Sequence, residues 1–398
     1  MPWRTTDLVD TRSEFIRLAL SGRHAITELC IAFGVSEKTG YKWLARFRKD
    51  GLAGLVDRSH VPHSPPHQLS LSVQREIRTL REKHPRWGAR KLRVILQRRF
   101  PNVAWPAAST IGEFLRRQGL VTAVRRRKKA TGLPIDFGLT AATSPNEVWT
   151  TDFKGEFRLQ SGPYCYPLTV LDAESRFLIG TTALFSTASL PVQATFERHF
   201  EEFGMPLVIR SDNGVPFASA RSIGRLSFLS VWWIRLGIRP ERIQPGRPQQ
   251  NGQHERMHKT LKDEATRPSS AAFTEQQHRF DQFRLEYNNE RPHESLNQET
   301  PASRYTRSPR PFPSRLPEVE YPPHFEVRAC GRNGMLSFRS RQFFLSSSLA
   351  NQEIGFEEVE DEIWALSFGP LALGTFHHAS NTFIDEVRWK PDTPPEEG

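Results

Sequence analysis

The chain has 398 residues, 37% of them hydrophobic and 25% charged, with a net charge of +11. That length suits two or three domains with sizeable cores, and the composition is that of a globular protein. No apolar run is long enough to span a bilayer, Met1-Pro2-Trp3-Arg4-Thr5-Thr6-Asp7 does not open a signal peptide, and Cys30, Cys165 and Cys330 lie too far apart for a disulfide or zinc framework; a reduced, cytoplasmic protein without membrane partners is expected.

The charge is uneven. Residues 1–130 hold 27 Lys and Arg against 10 Asp and Glu (+17), residues 131–310 hold 21 against 20 (+1), and residues 311–398 hold 7 against 14 (−7). A basic N-terminal third attracts polyanions and points to nucleic acid.

In chain order, residues 12–50 predict three helices. Ile26 to Phe33 carries apolar residues at helical spacing, Gly34-Val35 interrupts it, and Ser36 caps a further helix through Trp43, Leu44 and Phe47. Helix, Gly-containing turn and capped helix make a helix-turn-helix, whose second helix offers Lys38, Lys42 and Arg46 to a major groove. This places a DNA-binding domain at 1–60. A Pro- and His-rich linker follows at 61–69, with Pro62, Pro65, Pro66, His63 and His67. A second helix-turn-helix or winged-helix-like unit is predicted at 70–122. Its last helix is expected to open at Thr110-Ile111-Gly112-Glu113, which has capping-box spacing, and carries Arg116 and Arg117. A basic linker at 123–144 contains Arg125, Arg126, Arg127, Lys128 and Lys129, five consecutive cations suited to tracking phosphates.

From about residue 145 strands are predicted at Val148 to Arg158, Tyr166 to Leu171, Arg176 to Thr181 and Pro206 to Ser211. Helices are predicted at Val192 to Phe203, Gln250 to Lys262 and Glu275 to Tyr287. Hairpin strands followed by strand–helix alternation indicate a mixed α/β domain at 145–306. A Pro- and Arg-rich linker spans 307–320. Five short strands after it, between Phe325 and Phe368, suggest a small SH3-like β-barrel at 321–398. The acidic run Glu357 to Glu362 reads as a solvated turn.

Three stretches carry the chemistry: Trp149-Thr150-Thr151-Asp152-Phe153, Ser211-Asp212-Asn213-Gly214 and Gln250-Asn251-Gly252-Gln253-His254-Glu255-Arg256. Asp152 lies mid-sheet among apolar neighbours, where an uncompensated carboxylate is costly and a cation removes the cost. Asp212 ends an apolar strand before a sharp turn; as an isolated motif it also reads as a turn former. Glu255 shares a helical face with Asn251, Lys259 and Lys262, an arrangement able to hold phosphates beside an ion, though a plain surface Glu–Lys pair has the same pattern. Three carboxylates without Cys or paired His ligands suit hard, oxygen-preferring ions, Mg²⁺ or Mn²⁺. Asp172 reads as a turn former, His254 and His258 as helix surface or DNA contacts, and Trp232 and Trp233 as core or interface.

These stretches, with Pro216-Phe217, Pro248-Gln249 and Asn288-Asn289-Glu290-Arg291-Pro292-His293, resemble the catalytic core of retroviral-type integrases and related bacterial insertion-sequence transposases over about 145–305. The resemblance implies an RNase H-like core, two divalent ions and an Asp-Asp-Glu triad, which by position is Asp152, Asp212 and Glu255. It implies a transposase that binds the terminal inverted repeats of its element, cuts there and joins the freed 3′-hydroxyl to target DNA. At least a dimer on DNA is implied, in a bacterial, nucleoid-associated setting. The 43 positions from Asp212 to Glu255 exceed the usual family spacing, with the excess expected in Ala218 to Leu236. The zinc ligands of retroviral N-terminal domains are missing, which favours the bacterial type. Two rival readings are a DNA-binding regulator with an inactive core and a structure-specific nuclease.

Overall fold

A computed structural model describes residues 8–57, 69–121, 139–220, 222–244 and 247–389. The expected DNA contacts Arg125, Arg126, Arg127, Lys128 and Lys129, and most of the Pro- and His-rich linker, lie outside these residues. Among the described residues no helix is long and apolar enough to cross a membrane.

The N-terminal compact unit contains α1 (Leu8–Leu20), α2 (Ile26–Ala32) and α3 (Glu37–Asp50), followed by a 3₁₀ turn at Gly51–Leu55. Ser36 caps α3 as expected, its hydroxyl accepting the Thr39 N–H at 3.3 Å. Gly34, at φ +66°, makes the left-handed turn between α2 and α3 that a side chain would strain. Phe15, Ile16, Leu29, Trp43, Leu44 and Leu55 form the unit's core.

The remaining chain, from Ser72, is a second compact unit. It opens with α4 (Leu71–Lys83), α5 (Ala89–Arg99) and α6 (Ala108–Arg117). Helix α6 begins earlier than the capping-box spacing predicts: Ala107 is its N-cap and makes no side-chain bond. Glu113 instead pairs with Arg116 at 2.6 Å and Arg117 at 2.9 Å, two stronger partners than a backbone amide.

The central sheet contains β1 (Val148–Phe153), β2 (Phe157–Arg158), β3 (Tyr164–Asp172), β4 (Leu178–Leu184), β5 (Val208–Ser211) and β6 (Arg239–Arg242). Its order is β4-β3-β1-β5-β6, with β2 extending the far end of β3. Strands β1, β3 and β4 run antiparallel, and β1, β5 and β6 parallel. The single strand expected over Val148 to Arg158 is broken after Phe153, where Gly155 takes φ +86°. Helices α7 (Ser189–Phe203) and α8 (Phe228–Arg235) cover one face, burying Phe196, Phe200 and Trp233 against Trp149, Leu168 and Ile209. Helices α9 (Gly252–Ala265) and α10 (Phe273–Asn289) cover the other, burying Met257, Leu261, Phe280 and Phe283 against Leu171 and Leu178. A sheet sealed on both faces needs near-continuous apolar strands, as β3 and β5 have. The end of α4 is tied to α10 by a Lys83–Glu290 pair of 3.3 Å and, just beyond it, a His84 Nδ1–Glu286 contact of 3.0 Å; Arg90 of α5 pairs with Glu294 at 2.8 Å.

Residues 307–320, the expected linker, have no regular structure and lie on the core. The Ser308 N–H bonds to Phe203 O at 2.9 Å, and Phe312 packs against Phe200 and Trp232. Beyond it come β7 (Glu326–Ala329), β8 (Met335–Phe338), β9 (Arg341–Phe344), β10 (Glu353–Glu360), β11 (Ile363–Phe368), β12 (Leu371–His377) and β13 (Thr382–Trp389). The expected closed barrel is not what the pairing gives. Strands β13-β12-β11-β10-β7 form an open sheet, and β8–β9 is a separate hairpin. Side chains join the two instead, with Phe338 stacked on Phe356 at 4.2 Å and Phe343 on Phe376 at 4.4 Å. The acidic run is strand up to Glu360, with the turn at Asp361-Glu362; exposed positions at the end of a strand solvate carboxylates as well as a turn does.

Candidate active site

Asp152 stands at the penultimate position of β1, three-quarters buried at its side chain. Asp212 follows β5, the parallel neighbour of β1, so both acids leave the sheet at adjacent carboxyl ends. Asp212 also forms the turn its sequence suggested, its Oδ1 accepting the Gly214 N–H at 3.1 Å. Glu255 is exposed in the first turn of α9 and, among the described residues, joins no ion pair, so the bland Glu–Lys pairing is not made.

The three acids share one electrostatic neighbourhood. Burial pushes the Asp152 carboxyl up to about 7, and the negative charges of Asp212 and Glu255 push it the same way; Lys154 opposes them. Among the described residues no three His, Cys, Asp or Glu side chains stand close enough to enclose a metal ion. The acids therefore act on each other through the field and not as a closed ligand cage. Their chemistry still suits a divalent cation: the donors are oxygens, the surplus is negative, and Glu255 is a long, exposed side chain with freedom to turn inward.

Beneath the acids lies a hydrogen-bonded seam that corrects one expectation. His254 and His258 are not helix surface; they are 0% and 8% exposed. Thr169 Oγ1 donates to Asp152 O at 2.9 Å and meets His254 Nε2 at 2.6 Å and His258 Nε2 at 2.7 Å. A hydroxyl has one proton, so both imidazoles donate through Nε2. His254 Nδ1 is then an acceptor for Thr150 Oγ1 at 2.9 Å. His258 Nδ1 is a bare acceptor facing Asp152 Oδ2 at 3.8 Å, an arrangement that a proton or cation between them relieves. Burial holds His258 down to about 3 and His254 well below its ordinary value, consistent with neutral rings. The seam fixes α9, and with it Glu255, to the two strands carrying and flanking Asp152. Thr169→Val removes the shared oxygen at nearly constant volume. It is expected to destabilise the protein by about 2–4 kcal/mol, because two buried N–H groups lose their partner; a change under roughly 0.5 kcal/mol in denaturant unfolding would show the seam to be dispensable.

The remaining expected contacts are placed differently from one another. Lys38 and Lys42 are exposed on α3; Arg46 is half-buried, 4.9 Å over the Trp43 ring. Arg116 and Arg117 are exposed but share Glu113, and their hydrogen bonds hold its carboxyl down to about 2. Lys259 and Lys262 are exposed on α9, whereas Asn251 is buried at 5% exposure with its Oδ1 unpartnered. Asn251 closes the 3₁₀ turn that leads into α9, which takes it inside. Asp172, fully buried, accepts the Ser175 and Asn146 N–H groups and is a turn former. Lys154 was not singled out from the sequence: half-buried, it lies in the field of both Asp152 and Lys262. The long segment before Glu255 contains α8, whose Trp233 is fully buried.

The integrase core domain family matches residues 142–248 and, in a second form, residues 236–301. A helix-turn-helix domain matches 11–63 and a homeodomain-like domain 39–115. The insertion element IS407 31.7 kDa protein of Burkholderia multivorans is 28% identical over 247 residues, covering 61% of this chain and 83% of that protein. The insertion element IS476 39.2 kDa protein of Xanthomonas euvesicatoria is 28% identical over 267 residues, covering 65% and 72%. Among solved structures, the HTLV-2 integrase catalytic core domain in complex with magnesium (trimeric form) aligns with 42% of this chain and 100% of that one, at TM-score 0.33 and 14% identity. Integrase core domains thus match the region that holds all three acids, helix-turn-helix domains match before it, and insertion-element proteins are among the relatives, findings that together support a bacterial insertion-sequence transposase with an integrase-type core.

Proposed function

We propose that Asp152, Asp212 and Glu255 are the catalytic carboxylates of a polynucleotidyl transferase that cuts at the terminal inverted repeats of its element and joins the freed 3′-hydroxyl to target DNA. The observation that carries this reading is the placement of Asp152 and Asp212 at adjacent carboxyl ends of β1 and β5, with Glu255 in the first turn of α9, the helix that His254 ties to β1 and β3; burial and the other two acids raise the Asp152 carboxyl to about 7. Such a concentration of negative charge is unfavourable in the protein alone and favourable beside cations. Two Mg²⁺ or Mn²⁺ ions held by these residues would stabilise charge on the attacking and leaving oxygens of a phosphodiester. The chain's own groups orient the strand. Lys259 and Lys262, exposed on the Glu255 helix, and Lys154 beside Asp152 attract the phosphates. The His254–Thr169 seam keeps α9 in register with β1. Helix α3 with Lys38, Lys42 and Arg46, and the unit of α4–α6 with Arg116 and Arg117, recognise the repeats; Arg125 to Lys129 follow the backbone between domains. Two ends must be held together, so the acting form is at least a dimer, working on the nucleoid in the cytoplasm.

The test uses duplexes bearing the repeats that bound the gene. With Mg²⁺ the protein is expected to nick them at the element boundary and to yield joined products with target DNA; chelation should stop both steps. Binding without cutting would overturn the reading in favour of a regulator, and cutting without repeats or joining would favour a structure-specific nuclease.

A further inference from the structure

A second charged cleft lies beside the acids and has no part in the mechanism above. It is about 580 Å³ and opens between α5, the N-terminal end of α9 and the segment following α10. Lys91, Arg176, Arg256 and Arg291 line it, with Tyr287 and Gln250. The acid in its lining, Glu294, pairs with Arg90 at 2.8 Å, and Glu264, outside the lining, pairs with Arg291 at 2.8 Å. Among the described residues Lys91, Arg176 and Arg256 form no ion pair, and Gln250 Nε2 is buried without an acceptor. Burial, then the charge of Arg291, brings the Lys91 ammonium down to about 8, against the smaller opposing pull of Glu264 and Glu294. Arg176 gives one N–H to Ala173 O at 2.6 Å; its remaining donors, with Lys91, Arg256 and Gln250 Nε2, suit an anion with several acceptor oxygens.

Its position says which anion. Arg256 follows Glu255 in α9, so their side chains leave the helix about 100° apart. A strand laid on Glu255 and crossing the amino end of α9 meets the cleft next. We propose that the cleft seats a backbone phosphate of the same DNA that lies on Asp152, Asp212 and Glu255, gripped by Arg256, Lys91 and Arg176. This deepens the reading of the core as a DNA-processing site and rests on it.

The test measures binding of the full chain to a terminal-repeat duplex with chelator present, so that cleavage plays no part. The Lys91→Ala/Arg256→Ala double variant is expected to bind about tenfold more weakly, with a log K against log salt slope shallower by about 1. Arg256→Lys should keep the slope, and unchanged thermal unfolding of the double variant excludes misfolding. A single methylphosphonate linkage, moved along each strand, should reproduce the loss at one position in the native protein and cause no further loss there in the double variant. An unchanged slope, or equal additive losses at every linkage, overturns the proposal. So does stabilisation by inorganic phosphate with an unchanged DNA slope, which would mark a free-anion site. If the native protein binds but never cuts, the proposed reaction fails and the salt slope still decides the cleft; if it cuts and the slope does not move, the cleft alone fails.

Discussion

Asp152→Asn is expected to abolish Mg²⁺-dependent end cleavage, by at least about a thousandfold, while making the metal-free protein more stable. On the function proposed above, the catalytic loss follows from removing a carboxylate whose interaction with cations would stabilise transition-state charge by several kcal/mol. The stability gain follows from the sign of the shift. The Asp152 carboxyl ionises near 3.8 when unfolded and at about 7 in the fold, because burial and then Asp212 oppose the charge. Between those values the native state holds a proton that the unfolded state has lost. Its stabilising contribution is complete below about pH 4 and is lost as pH rises through about 7. Above pH 7 the ionised group destabilises the metal-free fold by about 2 kcal/mol, less than the full shift implies because a quarter of the side chain remains in solvent. An amide carries no such charge. Thermal unfolding without metal should therefore place Asp152→Asn above the native protein at pH 8, with the two converging towards pH 4. Added Mg²⁺ should raise the native midpoint at pH 8 and leave the variant unmoved. A variant that is inactive but no more stable at pH 8 would mean the acids do not share a field.

Much of this was legible because it is local. The Ser36 cap and Gly34 turn define the helix-turn-helix within a few residues, and Ser211-Asp212-Asn213-Gly214 marks a strand end and its turn together. The position of His254 and His258 was legible too and was misassigned: they fall on the stripe of Met257, Leu261 and Ala265, all buried. Their polarity suggested solvent, because the hydroxyls that satisfy them, Thr150 and Thr169, come from strands about a hundred residues away. Barrel closure is not a local property at all. It depends on whether β13 and β7 find partners; β13 has Phe383, Val387 and Trp389 on one face against the core, but the charges Asp385, Glu386 and Arg388 interrupt that pattern and most of its positions are exposed. The cation cleft was equally hidden, since Lys91, Arg176 and Arg256 are joined only by the packing of α5 against the core.

The other large effect lies in the segment that departs from the family spacing. Trp233→Ala is expected to destabilise the protein by about 3–5 kcal/mol, the usual range for emptying a fully buried aromatic site. Its indole has no solvent exposure and contacts Phe196 at 5.2 Å and Phe217 at 6.3 Å; Phe217 in turn lies 5.8 Å from Phe153. Phe153 is the neighbour of Asp152, and Phe217 closes the turn begun by Asp212. The Trp233–Phe217–Phe153 stack is thus a wedge under both aspartates, and removing its base should loosen them as well as the fold. Cleavage measured well below the unfolding midpoint should drop with Trp233→Ala and survive with Trp233→Phe, which keeps a ring in the stack and deletes a buried N–H that has no partner. Ile234 separates the two effects. It lies on the same helix but in the core of the C-terminal sheet with Phe338 and Phe356. Ile234→Ala should lose about 2–4 kcal/mol yet keep its cleavage rate per folded molecule. If Trp233→Ala also cleaves at the native rate once correctly folded, α8 is a structural bridge between the two sheets and has no hold on the aspartates.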